Sequence, residues 1–317
     1  LFWIFVRSNF LLGSFNFERM QAMGFCVALM PALKKLYQGD ELKAALRRHE
    51  ENAARKGRGL KIGKDHGLAR HIEHKIKTEK WSPAAIIGEL CQRGWRYNVR
   101  ICVKTLYNYI DQQLFLGITN EDLPYKKNQG DQRAKSSRTV AWNNRDGKSI
   151  EERPDKVNRR KEFGHWEIDL VVGRKGTKPV ILTLVERQTR KSLYVLVKNK
   201  SQKEVLQALR RLQRRVKGDF TQVFKSITAD NGSEFLNGEG LKRATKCEEV
   251  YYAHPFSSWE RGSNENGNRM LRRFLPKGTD FSKLKPKELK RIEDWVNNYP
   301  RKIFGYKTAN DMHAAIL

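Results

Sequence analysis

Short apolar runs separated by turn-forming residues mark the second half of the chain, from about residue 163 onward. Such runs are typical of buried β-strands, whereas apolar residues that recur every three or four positions indicate a helix. On these patterns the predicted strands span 165–172, 179–186, 192–198, 223–229 and 248–252. Helices are predicted at about 202–216 and 262–275, and a closing helix follows near the end of the chain.

The order of these elements indicates a fold class. Three strands, a helix and then a strand that ends in an acidic residue are how a ribonuclease-H-like fold begins. Strands that alternate with helices favour the α/β class. We therefore expect residues 161–317 to form a ribonuclease-H-like domain with a mixed sheet and a C-terminal helical tail.

Residues 65–115 predict a small all-helical domain. Ser82 can cap a helix and Pro83 suits its first position. A further helix is predicted after a turn near Gly94, because apolar residues recur there at i, i+3, i+4 and i+7. These residues are Val103, Leu106, Tyr107 and Ile110. Two helices joined in this way fit a helix-turn-helix, although any small three-helix bundle shows the same spacing.

Three polar residues of the second helix lie away from its apolar stripe. They are Lys104, Thr105 and Asn108. Lysine and asparagine are residue types that contact phosphates or base edges in DNA. We therefore predict that this helix face contacts DNA.

The remaining segments carry weaker signals. Residues 1–30 are apolar and irregular, and we expect them to be a non-native start, whereas 31–64 predict a helical spacer. Residues 116–160 form a basic linker that either lies along phosphates or merely connects two domains.

The charge balance indicates a polyanionic partner. Lysine and arginine outnumber aspartate and glutamate by 63 to 35, which gives a net charge of +28. The basic residues are spread along the whole chain and not gathered beside one amphipathic end. This distribution favours nucleic acid over an anionic membrane surface.

The cysteines exclude two other classes. They form no Cys-x-x-Cys pair and have no histidines at metal spacing, which makes a zinc site or a disulfide framework a poor fit. Free thiols fit a reducing compartment, so we expect a cytoplasmic protein. The four residues are Cys26, Cys91, Cys102 and Cys247.

Three acidic residues occupy positions that a purely structural role does not explain. Asp169 interrupts an apolar strand, Asp230 follows another strand, and Glu265 lies at the start of a basic helix. A buried carboxylate is costly unless it is paired or holds a cation. Two Mg²⁺ ions about 3.5–4 Å apart cleave phosphodiesters in such carboxylate sites, and Mn²⁺ is an expected substitute. We therefore predict that the three acids hold two metal ions, although Glu265 alone would read as half of a surface ion pair with Arg269.

Neighbouring residues supply further candidates. Arg269 and Arg272 share a helix face with Glu265, so they are predicted to contact DNA together with Arg273 and Lys277. Accessory candidates at the metal site are Glu167, Asn231 and Glu234.

Two accessory candidates, Glu167 and Glu234, have competing interpretations. Glu167 shares a strand face with Asp169, and a rim carboxylate is favoured over a metal ligand. Glu234 could replace Asp230 as a ligand. For the histidines and tryptophans of this region structural roles are favoured, with stacking on an unpaired base the alternative for the tryptophans. These residues are His165, His254, Trp166 and Trp259.

Four linked motifs resemble the DDE transposases of the IS-thirty insertion-sequence family. They are Gly164-His165-Trp166-Glu167-Ile168-Asp169, Asp230-Asn231-Gly232-Ser233-Glu234-Phe235, Ser258-Trp259-Glu260-Arg261-Gly262-Ser263-Asn264-Glu265-Asn266 and Arg272-Arg273-Phe274-Leu275-Pro276-Lys277-Gly278-Thr279-Asp280. The resemblance covers about residues 80–310, and its motifs in this order are highly specific.

The resemblance implies a catalytic core of the ribonuclease-H-like, retroviral-integrase type that depends on Mg²⁺. By it, Asp169, Asp230 and Glu265 hold the metal, and the chain acts on the terminal inverted repeats of its own element. We expect a homo-oligomer on double-stranded DNA, both at these repeats and at the target DNA. Water would free a 3′-OH, which then attacks a second phosphodiester without a covalent protein intermediate.

Two other functions remain open. Family members usually carry a further N-terminal helix-turn-helix, and residues 1–30 show no clear counterpart. A truncated, inactive copy that only binds inverted repeats is therefore the alternative. The third is a retroviral-type integrase or junction nuclease on the same fold.

Overall fold

The computed structural model describes residues 61–124, 147–215, 220–255 and 257–316. The predicted segment 1–30, residues 31–60 of the predicted spacer and residues 125–146 of the predicted linker lie outside these ranges. The described residues fall into two compact units. One contains residues 61–69 and 97–101, and the other contains 70–96 together with the described residues from 102 onward. The domain boundary predicted near residue 115 stays a prediction.

In the smaller unit, Asp65 joins the two stretches of chain. Its carboxylate accepts hydrogen bonds from the backbone N–H groups of Leu68 and Asn98, both at 2.9 Å. The first of these bonds caps the start of helix α1, His66–Lys77.

Two more helices lie in the N-terminal part of the larger unit. Helix α2, Pro83–Gln92, begins as predicted, because the Ser82 hydroxyl accepts a hydrogen bond from the Ala85 N–H. Helix α3, Val103–Asp111, buries Leu106 and Ile110 and leaves Lys104 and Asn108 exposed. Both helices lie where they were predicted, and DNA reading by them stays a prediction.

Six strands form one mixed sheet within the described part of the chain. They are β1 Lys148–Ser149, β2 His165–Val172, β3 Val180–Glu186, β4 Ser192–Val197, β5 Ser226–Ala229 and β6 Glu249–Tyr252. Their order across the sheet is β1-β6-β5-β2-β3-β4. Strands β2, β3 and β4 are antiparallel neighbours, whereas β5 pairs parallel with β2 and β6 pairs parallel with β5 and β1. This topology confirms the predicted ribonuclease-H-like mixed sheet.

Helices cover both faces of the sheet. The helices of this part of the chain are the short α4 Asp155–Asn158, α5 Gln202–Arg215, the short α6 Phe220–Val223, α7 Gly238–Thr245, α8 Gly262–Leu271, α9 Pro286–Asn297 and α10 Ala309–Ala314. Helices α5 and α7 pack on one face, and α8 and α9 pack on the other.

The alternation of residues along β2 fixes which side chains face which layer. Trp166 and Ile168 enter the core beneath α5 and α7, where Trp166 stacks on Phe224 at 4.7 Å between ring centroids. Because successive side chains point to opposite faces, Glu167 and Asp169 point toward α8. The strand therefore carries apolar residues on one face and acidic residues on the other.

Three local features differ from the prediction. The strand expected at 223–229 begins only at Ser226, since residues 220–223 form a helical turn. The helix expected to end at 275 ends at Leu271. Strand β1 and helix α7 were not predicted, because β1 has only two residues and α7 is polar at its start.

Two contacts join α2 to the C-terminal region within the larger unit. The Ser82 hydroxyl lies 2.9 Å from the Tyr299 hydroxyl, and the Trp295 indole donates to the Glu79 carbonyl at 2.7 Å. The described residues contain no helix of the length and apolarity needed to cross a membrane.

Candidate active site

Asp169 and Asp230 lie together at two neighbouring central strands of the sheet. Asp169 is on β2, and Asp230 directly follows β5, which pairs parallel with β2. The Arg261 guanidinium lies between the two carboxylates, with Nη1 3.4 Å from Asp169 Oδ1 and Nη2 3.2 Å from Asp230 Oδ2. The two predicted acids therefore share one positive charge.

The environment of Asp169 favours a cationic partner. Burial raises the pKa of its carboxyl, the Arg261 charge opposes that rise, and the Asp230 charge adds to it. Asn268 donates from Nδ2 to Asp169 Oδ2 at 2.7 Å, and the Leu170 N–H donates to Oδ1 at 2.9 Å. Two carboxylates of this kind are hard oxygen ligands that suit a divalent ion.

The third predicted acid occupies a different position. The Glu265 side chain is 57% exposed and pairs with Arg269 at 3.5 Å. It lies one helical turn before Asn268, on the same side of α8. Among the described residues, no three histidine, cysteine or acidic side chains are grouped closely enough to hold a metal ion. The structure therefore brings Asp169 and Asp230 together, and the participation of Glu265 stays a prediction.

Asn268 fixes the orientation of Asp169. The Thr183 hydroxyl on β3 donates to Asn268 Oδ1 at 3.0 Å, which leaves the amide nitrogen directed at Asp169. Asn268, Thr183 and Arg261 were not predicted as site residues from the sequence. For Asn268 the available signal was its spacing of three residues from Glu265 on the same helix.

Glu167 is not a rim carboxylate, so the favoured interpretation is wrong. Its side chain is completely buried. Arg187 Nη1 donates to Oε1 at 2.6 Å, and the Asn264 N–H donates to Oε2 at 2.9 Å. Both carboxylate oxygens are therefore bound by the protein itself.

The other two accessory candidates hold the loop after β5. Asn231 donates to the Ala253 carbonyl at 2.7 Å, and Asp230 Oδ1 accepts from the Gly232 N–H at 3.0 Å. Glu234 is buried and pairs with Lys200 at 3.3 Å. These contacts position Asp230 at the end of its strand.

The predicted DNA-contacting arginines after Glu265 have internal partners. Arg272 donates to the Val172 carbonyl at 2.7 Å. Arg273 lies over the rings of Trp295 and Tyr299, 5.6 and 4.9 Å from their centroids. Arg272 therefore joins the end of α8 to strand β2, and Arg273 packs on aromatic residues at and after the end of α9. Contact of either side chain with DNA stays a prediction.

The other residues predicted to contact DNA have fewer contacts within the protein. Lys277 is exposed in the loop after α8, and Arg269 is 54% exposed beside Glu265. Thr105 lies 3.2 Å from the Cys102 sulfur, at the start of α3.

The histidines and tryptophans divide clearly. Buried His165 lies 2.7 Å from the Ser226 hydroxyl, and burial lowers its pKa, which fits a neutral structural group. His254 Nδ1 lies 2.8 Å from Glu260, which raises its pKa. Trp166 is buried as expected, whereas Trp259 is 74% exposed, two residues from Arg261.

Part of this chain is similar to a known family of catalytic cores. The family model described as "Integrase core domain" matches residues 159–253, which contain β2 to β6, Asp169 and Asp230. The chain thus contains an integrase-type core.

Three relatives identify the family. The probable transposase for insertion-like sequence element IS1161 of Streptococcus salivarius is 42% identical over 66% of this chain and 57% of its own length. The transposase for insertion sequence element IS4351 of Bacteroides fragilis is 34% identical over 77% of this chain and 72% of its own. Transposase InsI for insertion sequence element IS30A of Escherichia coli (strain K12) is 31% identical, over 77% and 64% respectively. The chain belongs to the IS-thirty family of insertion-sequence transposases, and it spans 57% of the length of the Streptococcus relative.

The N-terminal segment matches a different family. The model "PTS system mannose/fructose/sorbose family IID component" matches residues 1–53. The fructose permease IID component of Bacillus subtilis is 62% identical over 52 residues, which is 19% of that protein. The two family models match separate parts of the chain.

Proposed function

We propose that this chain is a transposase that binds the terminal inverted repeats of its insertion sequence and catalyses metal-dependent DNA strand cleavage and strand transfer. The observation that carries the proposal is the pair of carboxylates, Asp169 and Asp230, which share the Arg261 guanidinium at neighbouring strands of the integrase-type core. The reaction frees a 3′-OH by hydrolysis, and that hydroxyl then attacks a second phosphodiester.

The residues have distinct proposed roles. Asp169, Asp230 and Glu265 would hold two Mg²⁺ ions, with Mn²⁺ as a substitute. When bound, such ions activate the attacking oxygen and stabilise the leaving oxygen. Asn268 and Thr183 hold the Asp169 carboxylate in one orientation, and the exposed Arg269 and Lys277 bind the phosphate backbone.

The charge of the chain and its free thiols bear on its partner and its cellular location. We expect the chain to act as a homo-oligomer on double-stranded DNA, with Lys104, Thr105 and Asn108 of α3 at one DNA surface. A net charge of +28 supports this partner, because neutralising phosphates releases counterions. We place the reaction in the cytoplasm, where free thiols persist.

A nicking assay tests the proposed function. The purified chain is incubated with a labelled duplex that contains the end of the element, in Mg²⁺, Mn²⁺ or EDTA. We expect site-specific nicking that requires the metal and falls about 10²- to 10³-fold in Asp230→Asn, on the scale that electrostatic stabilisation of a transition state contributes. Asp155→Asn, which changes a carboxylate that is 83% exposed, serves as the matched control and keeps full activity.

The same assay separates the alternatives. Specific binding without nicking in either metal would refute the enzymatic proposal and support the inactive, DNA-binding copy. Cleavage of branched DNA of any sequence would instead support a junction nuclease.

A further inference from the structure

Helix α8 carries Glu265, yet its own sequence does not cap its first turn. The N-cap position is occupied by Arg261, which makes no side-chain cap hydrogen bond in the described structure. Its guanidinium instead contacts Asp169 and Asp230. Backbone N–H groups in the first turn of a helix need acceptors, and a buried N–H without one is costly.

A residue 97 positions away supplies the missing acceptor. Glu167 Oε2 accepts the Asn264 N–H at 2.9 Å, in the first turn of α8. A carboxylate is the favoured group here, since it faces the positive end of the helix dipole. Glu167 therefore caps α8 from strand β2.

The charge of this cap is balanced within the protein. Arg187, which directly follows β3, binds the other carboxylate oxygen and is itself buried. Burial lowers the pKa of the Arg187 guanidinium, and the Glu167 charge opposes that change. Arg190 from the same turn donates to the Ser263 hydroxyl, one residue before Asn264. The β3–β4 turn and β2 thus both hold the start of α8.

The cap links the three proposed metal-binding residues. Glu167 lies two residues from Asp169 on the same face of β2, and Glu265 directly follows the capped Asn264. We propose that Glu167 is a positioning residue, a long-range N-cap that sets Glu265 relative to Asp169 and Asp230. This inference rests on the proposed function of those three acids.

Two double variants isolate the cap from the buried charge. A single change of Glu167 would leave Arg187 buried without a counter-ion, which is strongly destabilising. Glu167→Gln with Arg187→Met removes both charges and keeps an oxygen acceptor for Asn264. Glu167→Met with Arg187→Met removes both charges and the acceptor. The two variants have side chains of similar size and differ in the acceptor for this N–H.

Hydrogen exchange of residues 262–271 and the single-turnover nicking rate are then measured. In the Met/Met variant we expect the Asn264 amide to exchange at least about tenfold faster, and the rate to fall about 10²-fold, as displacement of a catalytic group by about 1 Å can do. The Gln/Met variant should remain within about threefold of the wild type in both measurements. Equal behaviour of the two double variants would overturn the inference.

A matched control separates positioning from stability. Glu293 is also buried, pairs with Arg215 and accepts the Tyr194 N–H at 2.6 Å. Glu293→Gln should lower stability and leave exchange of α8 and the rate per folded molecule unchanged. If the wild type does not nick DNA but the exchange difference appears, the proposed function fails and the capping role stands.

A second inference rests on sequence alone. Residues 1–53 and residues 159–253 match two unrelated families, one of sugar-permease components and one of integrase cores. An identity of 62% over 52 residues with part of a permease component is too high to arise by chance. We infer that the reading frame joins part of a permease IID gene to a transposase gene, with the junction shortly after codon 53.

Long-read sequencing of the genomic locus tests this junction. We expect one terminal inverted repeat of the element near the junction, and the remaining permease coding sequence on the far side of the element. A locus without a terminal repeat, beside an intact permease gene that lacks any insertion, would overturn the inference.

Discussion

The Arg261 guanidinium and a divalent ion should compete for the same carboxylates. The guanidinium lies 3.4 Å from Asp169 and 3.2 Å from Asp230, and its side chain is 13% exposed. A unit charge pair at about 4 Å is worth about 4 kcal/mol at an effective dielectric of 20, but desolvation offsets much of that energy. Allowing for the partial exposure of both carboxylates, we expect Arg261→Gln to cost about 1–3 kcal/mol in the absence of divalent ions.

Thermal unfolding in EDTA and in Mg²⁺ measures both effects. A loss of about 2 kcal/mol lowers the Tm by about 5 °C for a unit of this size. Without the competing guanidinium we expect Mg²⁺ to bind about tenfold more tightly, which adds about 1.4 kcal/mol of stabilisation at saturating concentrations. Mg²⁺ should therefore raise the Tm of Arg261→Gln by several degrees more than that of the wild type.

The control is Arg159→Gln, which removes an exposed arginine from a surface pair with Asp155. This variant should match the wild type in both conditions, because exposed pairs contribute little. An Arg261→Gln variant with a normal Tm in EDTA and the same response to Mg²⁺ would refute competition at the carboxylates.

Three further predictions use other parts of the site. Asn268→Ala should slow single-turnover nicking about 10–100-fold while DNA affinity in a gel-shift assay stays normal, because Asp169 loses its orienting donor; an unchanged rate would contradict this role. Trp259→Ala should reduce the fluorescence quenching of 2-aminopurine placed beside the cut, since the exposed ring is available to stack; equal quenching would exclude stacking there. Burial holds the folded pKa of His165 below its usual 6.5, so its contribution to stability is present above that pH and is lost as pH falls below it. Urea unfolding of His165→Asn should show less loss between pH 7.5 and pH 5 than the wild type, and an identical loss would assign the acid sensitivity elsewhere.

Apolar periodicity predicted the sheet and the strand positions of Asp169 and Asp230. Strand β2 matches its predicted range, and Asp169 and Asp230 lie close together because β2 pairs parallel with β5, with Glu167 opposite Thr228. The start of α2 was also predictable, since Ser82 and Pro83 act within their own turn. These features depend on residues that are close in sequence or on the two-residue repeat of a strand.

Polar contacts between distant residues were not predictable in the same way. Alternation placed Glu167 on the face of Asp169, but it could not reveal that α8 would cover that face and bury the carboxylate. The sequence around Arg272 likewise did not indicate its hydrogen bond to the Val172 carbonyl, 100 positions away. Burial of a charged residue depends on which element packs over it, and a single sequence does not state that packing.

The start of α8 shows why the local and distant signals diverge at this site. Most helices have a serine, threonine, aspartate or asparagine at the N-cap position, where the side chain accepts a backbone hydrogen bond. In α8 this position is occupied by Arg261, which cannot accept one. With the cap supplied by Glu167, the N-cap residue is free of capping, and its side chain reaches the two carboxylates. The same strand that presents Asp169 thus fixes the helix that presents Glu265 and Asn268. Displacement of α8 would therefore alter the surroundings of Asp169, Asp230 and Glu265 together. For this reason we expect changes at Glu167 to affect the proposed reaction although Glu167 is buried and does not contact DNA.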